Sequence, residues 1–221
     1  MRGAGLTPYG RIATRLAAWL APPYTARFYL SRMNPLGYID PTAIIYHNNL
    51  RLGKHIFIAD RVVLRQAPRG GLLEIGDNVH ILRDTIVAMG GGENGRVKIG
   101  ANTFIQPRCQ IMAYKGPIRI GRGVQMAANC ACYSYDHSFA PGERIGNQPI
   151  RTKGGIIIDD DAWLGFGVIV LDGVRIGKGA VVGAGSVVTR DIPDAAIAVG
   201  NPARVIKMRS ELAYQSPHEK E

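Results

Sequence analysis

From Ile158 to Val188 the apolar positions of this chain keep a beat of six. Ile158, Leu164, Val170, Ile176, Val182 and Val188 each stand six residues after the last, and Ala162, Val168, Val174, Ala180 and Ser186 follow at a fixed offset of four. An amphipathic helix repeats near 3.6 and an alternating strand at two, so the period belongs to neither. It suits a triangular solenoid. Each hexapeptide forms one short side, its aliphatic residue points inward, and small or glycine positions form the corners. Three sides close a coil of about 18 residues, and successive coils stack as parallel strands about 4.8 Å apart. The template recurs upstream as "IGDNVH-ILRDTI-V" from Ile75, "IGANTF-IQPRCQ-I" from Ile99 and "IGRGVQ-MAANCA-C" from Ile120. Weaker copies begin at Leu52 ("LGKHIF-IADRVV-L") and between Ile39 and Ile45. The coil starts at 52, 75, 99 and 120 are one coil plus a few residues apart, so short loops such as "AMGGGENGRV" are expected at one corner. The pattern therefore predicts an all-β parallel β-helix, a triangular prism over residues 39–193.

One interruption is longer. Ile120 and Ile158 are 38 residues apart, a coil plus about twenty, and the excess falls in "YSYDHSFAPGERIGNQPIRTKGGII", an inserted loop at 133–157. Long insertions in compact domains are uncommon and usually functional or disordered. Tyr133, Tyr135, His137, Phe139 and Pro141 are groups that pack or bind, which argues against a floppy linker. A loop thrown from a rigid prism across a neighbouring one makes a cleft between subunits, where small-molecule sites tend to lie. Of the five histidines (His47, His55, His80, His137 and His218), His137 stands out by its place at the mouth of this loop; a structural or surface role is expected of the others. Imidazole titrates near working pH and suits general-base work. What orients the ring is open from sequence: Asp136 is adjacent but faces the other way in an extended segment, Glu143 can reach back, and a backbone carbonyl serves as well.

Composition narrows the classes. Twenty-eight glycines against 7% aromatics fit many tight corners, and a net charge of +10 points to an anionic partner. Zinc-finger spacing and an arginine-and-aromatic RNA pattern are both missing, so no nucleic-acid partner is expected. Cys109, Cys130 and Cys132 have no metal-ligand spacing, and the odd count does not read as a disulfide framework; buried thiols in a reducing compartment are expected, with no metal. The chain has no apolar run of about 20 residues and no clear signal peptide in "MRGAGLTPYGRIATRLAAWLAPP". A cytoplasmic location is expected, with peripheral contact at the inner face of the membrane as an extension. That extension rests on residues 1–39, which hold Arg2, Arg11, Arg15, Arg27 and Arg32 and no acid. A basic helical segment over 1–38, broken at Pro22–Pro23, either covers the first coil or lies on an anionic membrane.

"YSYDH", the loop, and then "IIIDDDAWLGFGVIVLDGVRIGKGAVVGAGSVVTRDIP" and "GNPARVIK" resemble the hexapeptide-repeat acyltransferases, in particular the sugar and xenobiotic O-acetyltransferases. The resemblance spans about Ile39 to Lys207. It implies a left-handed coil, a homotrimer, acetyl-CoA as cosubstrate without a required metal, and His137 as general base. By that match Trp163 borders the acyl group, while Gly165, Phe166 and Ala184 offer contacts to the pantetheine arm. Thr189, Arg190, Arg204 and Lys207 would lie near the phosphates, with residues 194–221 contributing to the coenzyme A site. One departure is visible. Where the galactoside and maltose branch carries acceptor-binding asparagines, this chain reads "FIQPRCQI", so Arg108, with Tyr135 and Glu143, becomes a candidate for the acceptor.

The expected function is acetyl transfer to a hydroxyl of a sugar, in a bacterial surface polysaccharide or its precursor. Rival readings are an antibiotic acetyltransferase, an amino-sugar N-acetyltransferase, a non-catalytic β-helix scaffold, and a zinc carbonic anhydrase, which needs three histidine ligands where His137 has no close second histidine.

Overall fold

The computed structural model describes residues 7–19, 25–68, 70–90 and 95–212. Three parallel sheets form the sides of a prism: a first sheet of nine strands, a second of seven and a third of six. The nine include an antiparallel return, Arg204–Met208, on Ala196–Val199 at the end of the first sheet.

The strand register turns the six-residue beat into three columns of inward side chains. Ile39, Ile58, Ile81, Ile105, Met126, Leu164, Val182 and Ala198 stack along the first sheet. Ile45, Leu64, Val87, Ile111, Cys132, Val170 and Val188 stack along the second. Leu52, Ile75, Ile99, Ile120, Ile158 and Ile176 stack along the third. Apart from Ile45 and Leu52, at the open end of the prism, these residues are buried. Each fully buried aliphatic side chain contributes roughly 1.5–3 kcal/mol, so the columns hold the prism together.

The corners follow a rule that the apolar pattern hides. Three residues after the inward aliphatic the backbone turns left-handed: at His55, Arg61, Asn78, Asp84, Asn102, Arg108, Asn129 and Asp161, and at Gly123, Gly167, Gly173, Gly179 and Gly185, with φ from 53° to 80°. Corners are therefore made by this position, mostly Asn, Asp or Gly, and the buried residue one further on fills the inside of the bend. Asn is tolerated there because its short polar side chain bonds locally. Asn102→Gly is expected to leave stability nearly unchanged, whereas Asn102→Ala lowers it by about 1 kcal/mol, read from urea denaturation midpoints.

The three cysteines are free and buried. Cys109 and Cys130 fill inner corner positions, where their thiols donate to Ala127 O and Gly165 O at 3.2 Å each. Cys132 stands in the second column, and burial pushes its thiol well above the ordinary value. It is packing material, not a nucleophile.

The insertions share one edge. Between the first and second sheets, and between the third and first, the beat stays at six. The excess residues after Leu64, Val87, Ile111 and Cys132 all fall where the second sheet passes to the third.

Two helices precede the coils, α1 (Pro8–Trp19) and α2 (Thr25–Met33); the Pro22–Pro23 break lies outside the described residues. α2 covers the outer face of the first sheet near its start. Phe28 stacks on Phe57 at 4.4 Å and tilts over His80 at 4.9 Å, and Arg27 pairs with Asp40 at 3.1 Å. His55 and His80 belong to this packing, with His55 Nδ1 3.1 Å from Ser31 O. Burial and the nearby Arg32 lower the pKa of His80. His47 is half-buried with its pKa lowered by burial; His218 lies outside the described residues.

Candidate active site

The long insertion is a braced arm rather than an open loop. It leaves the second sheet at Tyr133, where the buried Ser134 hydroxyl donates to Gly116 O at 2.5 Å. Asp136–His137 then pairs antiparallel with Ile150–Arg151, with Asp136 opposite Arg151 and His137 opposite Ile150. Ser138 Oγ donates to Pro149 O at 2.7 Å. At the tip, a short 3-10 turn at Ile145–Asn147 is held by Glu143, whose Oε1 accepts from Arg144 N (2.6 Å) and Asn147 Nδ2 (2.9 Å).

The returning strand is moored by one buried carboxylate. Asp172, 4% exposed, accepts from Thr152 Oγ1 (3.1 Å), from Gly155 N (3.0 Å) and, at short range, from Lys153 N. Gly155 is required beside it: φ is +98°, and a Cβ would fall 2.1 Å from Pro117 O. Arm and prism are thus joined rigidly at both ends, which is what a positioned catalytic group needs.

The His137 ring is exposed, and no described residue hydrogen-bonds it. Neither carboxylate weighed as its orienting group reaches it: Asp136 pairs with Lys153 at 3.5 Å, and Glu143 is committed to the tip. The contact it does make is edge-on to Tyr135, at 6.4 Å between ring centroids. Tyr135 also lies 5.3 Å from Tyr114 and 6.0 Å from Tyr133, forming an aromatic wall at the base of the arm. Burial raises the pKa of the Tyr135 phenol, so it remains a hydroxyl. A hollow of about 370 Å³ opens beside the ring, lined by Asp136, His137, Phe139, Arg151, Thr152, Lys153 and Asp172.

Four of the sequence-predicted donor residues, Trp163, Gly165, Phe166 and Ala184, cluster at the corner between the first and second sheets. Trp163 and Phe166 are about half exposed there, at 53% and 56%, large apolar surfaces without a cover. Gly165 N donates to Val182 O at 2.8 Å, and a Cβ on Gly165 would stand 2.7 Å from Ala184 N, so adjacent coils leave no room for a side chain. Ala184 is exposed beside them. Arg108 occupies the same corner two coils before Phe166, where its Nε donates to Asn129 Oδ1 at 3.1 Å. Thr189 and Arg190 follow the last strand of the second sheet and so stand apart from that corner, on the edge from which the arm leaves, whereas Arg204 and Lys207 sit on the antiparallel return. Arg190, Arg204 and Lys207 are exposed and have no ion-pair partner among the described residues.

Within one chain these two groups do not meet. His137 hangs from the corner between the second and third sheets. Trp163, Phe166 and Ala184 line the corner before the second sheet. The full width of that sheet separates them, about 20 Å for six residues at ~3.3 Å each. Among the described residues no group of three or more His, Cys, Asp or Glu side chains gathers in a way that could hold a metal ion.

Sequence reasoning missed Asp172, Thr152, Lys153 and Tyr114. Asp172 lies in "VLDGVRIG", where Asp-Gly reads as an ordinary corner; the signal available was that an acid stood at a position where its neighbours bury apolar or small groups.

Residues 155–190 match the family model for the bacterial transferase hexapeptide (six repeats). The chain is 37% identical over 132 residues to a galactoside O-acetyltransferase of Lactococcus lactis, covering 60% of this chain and 61% of that protein. It thus spans about three fifths of that relative. Among solved structures, the polySia specific acetyltransferase NeuO superposes with a TM-score of 0.62 at 25% identity, covering 82% of this chain and 80% of that one. An N-acyltransferase from Bacillus cereus, AntD, crystallised with a dTDP-amino sugar and coenzyme A, superposes with a TM-score of 0.51 at 24% identity, covering 82% and 88%.

Proposed function

We propose that this chain, a left-handed β-helix, transfers an acetyl group from acetyl-coenzyme A to a sugar hydroxyl, with a site shared between two copies in a homotrimer. The observation that carries this reading is the separation of the two groups. The arm of one copy holds an exposed imidazole over a polar hollow, while the donor corner lies a sheet's width away with its aromatic residues bare. An arm projecting from one prism reaches the donor corner of the next.

The corner fits a coenzyme A thioester. Closely spaced coils at Gly165 and Ala184 present a smooth edge for a slender pantetheine arm, and Arg204 and Lys207 are exposed cations with no ion-pair partner among the described residues, as phosphates need. When bound, the thioester supplies the electrophilic carbonyl. His137 takes the proton of the acceptor hydroxyl as its oxygen attacks, and the imidazolium returns that proton to the departing thiolate, so the proton balance closes. Tyr135 and the arm fix the plane of approach. The hollow beside the ring balances Arg151 and Lys153 against Asp136 and Asp172, with Lys153 paired to Asp136, so its wall offers polar groups of both signs to a sugar. The likeness to a polySia specific acetyltransferase supports a surface polysaccharide, or its precursor, as the acceptor.

Two measurements test the reading. Calorimetry is expected to show coenzyme A binding, and thiol release from acetyl-CoA is expected to rise with an acidic oligosaccharide in a panel of acceptors; no coenzyme A binding would favour a scaffold role instead. In Arg204→Ala/Lys207→Ala, loss of two charged phosphate contacts should weaken coenzyme A by about tenfold or more, with little change in melting temperature.

A further inference from the structure

A surface helix ordinarily buries its apolar stripe against the protein that carries it. α1 does the reverse. Thr14 and Ala18 face the prism and are buried, whereas Tyr9, Ile12, Leu16 and Trp19 are 86%, 57%, 61% and 85% exposed. Their spacing of three, four and three places all four on one side of the helix. Contiguous apolar surface of this kind marks a binding face rather than a scatter of single exposed residues.

We infer that α1 is an interfacial helix that lays Tyr9, Ile12, Leu16 and Trp19 into the surface of an anionic lipid bilayer. Charge selects this occupant. Arg15 is exposed at the border of the stripe, and residues 1–39 contain five arginines and no acid. Beside α1 a hollow of about 540 Å³, bordered by Trp19, sets Arg15, Arg27, Arg61 and Arg83 against Asp40 and Asp60; Arg27 pairs with Asp40, and Arg61 and Arg83 share Asp60, so the lining stays net positive. Another copy presenting the same basic face would be repelled, whereas anionic headgroups are attracted, each nearby arginine adding to the binding. Trp19 and Tyr9 stand in the last and first turns, and both residue types favour the membrane–water boundary. With twelve residues α1 is too short to span a bilayer, and no described helix is long and apolar enough to cross one. It therefore lies in the plane of the interface. Exposed Tyr29 and Met33 on α2 add apolar surface to the same end of the molecule. The inference does not depend on the transfer chemistry.

The full chain should float with vesicles of phosphatidylcholine mixed with phosphatidylglycerol, bind pure phosphatidylcholine far less, and release as salt rises. Ile12→Ser/Leu16→Ser should weaken the partition by about tenfold or more, and Arg15→Glu by several-fold, with circular dichroism and sedimentation in lipid-free buffer unchanged. Three results overturn the inference: failure of the wild-type chain to float with the mixed vesicles, equal flotation of the double variant, or dissociation of the double variant into smaller species without lipid. The last would show that the stripe packs against another copy.

Discussion

His137→Ala is expected to lower kcat for acetyl transfer by at least about 100-fold, the usual contribution of a positioned general base, while leaving melting temperature and coenzyme A affinity unchanged. The structure separates these readouts. The ring is exposed, it touches Tyr135 edge-on at 6.4 Å, and it takes part in no hydrogen bond among the described residues. The residue holds its place through backbone pairing with Ile150, which alanine keeps. No core column includes it, so truncation opens no cavity. In the proposed reaction the imidazole takes a proton that no other nearby group is fitted to take: the Tyr135 phenol is held protonated by burial, and Asp136 is paired with Lys153. Turnover above about a tenth of wild type in the alanine variant would place the base elsewhere.

Asp172→Ala should strike both stability and rate. Its carboxylate is 4% exposed and accepts from Thr152, Lys153 and Gly155, the residues that return the arm to the prism. Alanine leaves backbone donors at the foot of the arm without an acceptor, each costing about 1–3 kcal/mol when buried. A total near 3 kcal/mol lowers the melting temperature by roughly 10 °C in a domain of this size. Catalysis falls as well, by about tenfold or more, because His137 is carried on the strand opposite the loosened one and misplacement of a catalytic group is expensive. Asp172→Asn keeps an oxygen acceptor and should fall between the two. Thermal melts and kcat measured on the same preparations distinguish a mooring carboxylate from a surface one.

The prism was legible because its determinants are local and periodic. Ile158, Leu164 and Val170 announce the inward columns without knowledge of what lies across the core, and register then follows from stacking. The left-handed corners were half legible. Gly167, Gly173, Gly179 and Gly185 are obvious turn formers, but Arg61, Arg108 and His55 hold the same conformation because the stacked coils impose it, and nothing in their side chains advertises φ near 60°. Arg108 shows the consequence: a cation that reads as free for a ligand is a corner residue bonded to Asn129 on the next coil. The arm was visible as a break in the rhythm, but its pairing was not, because Asp136–His137 and Ile150–Arg151 are two-residue strands too short to carry an alternating pattern. Asp172 was invisible for a related reason. Its role depends on contacts 17–20 residues away in sequence, and its burial comes from a loop packing over it.

The central claim is that the arm of one copy acts at the donor corner of another, and mixing two inactive variants tests it most directly. His137→Ala removes the base, and Ala184→Trp obstructs the exposed donor corner without touching a core column. Co-assembled in equal amounts, the two should recover roughly a quarter of wild-type thiol release, since random assortment in a closed ring leaves that share of interfaces with an intact arm facing an intact corner. Activity that stays at the level of the separate variants, in assemblies shown to be mixed, would contradict the claim and place the whole site within a single chain.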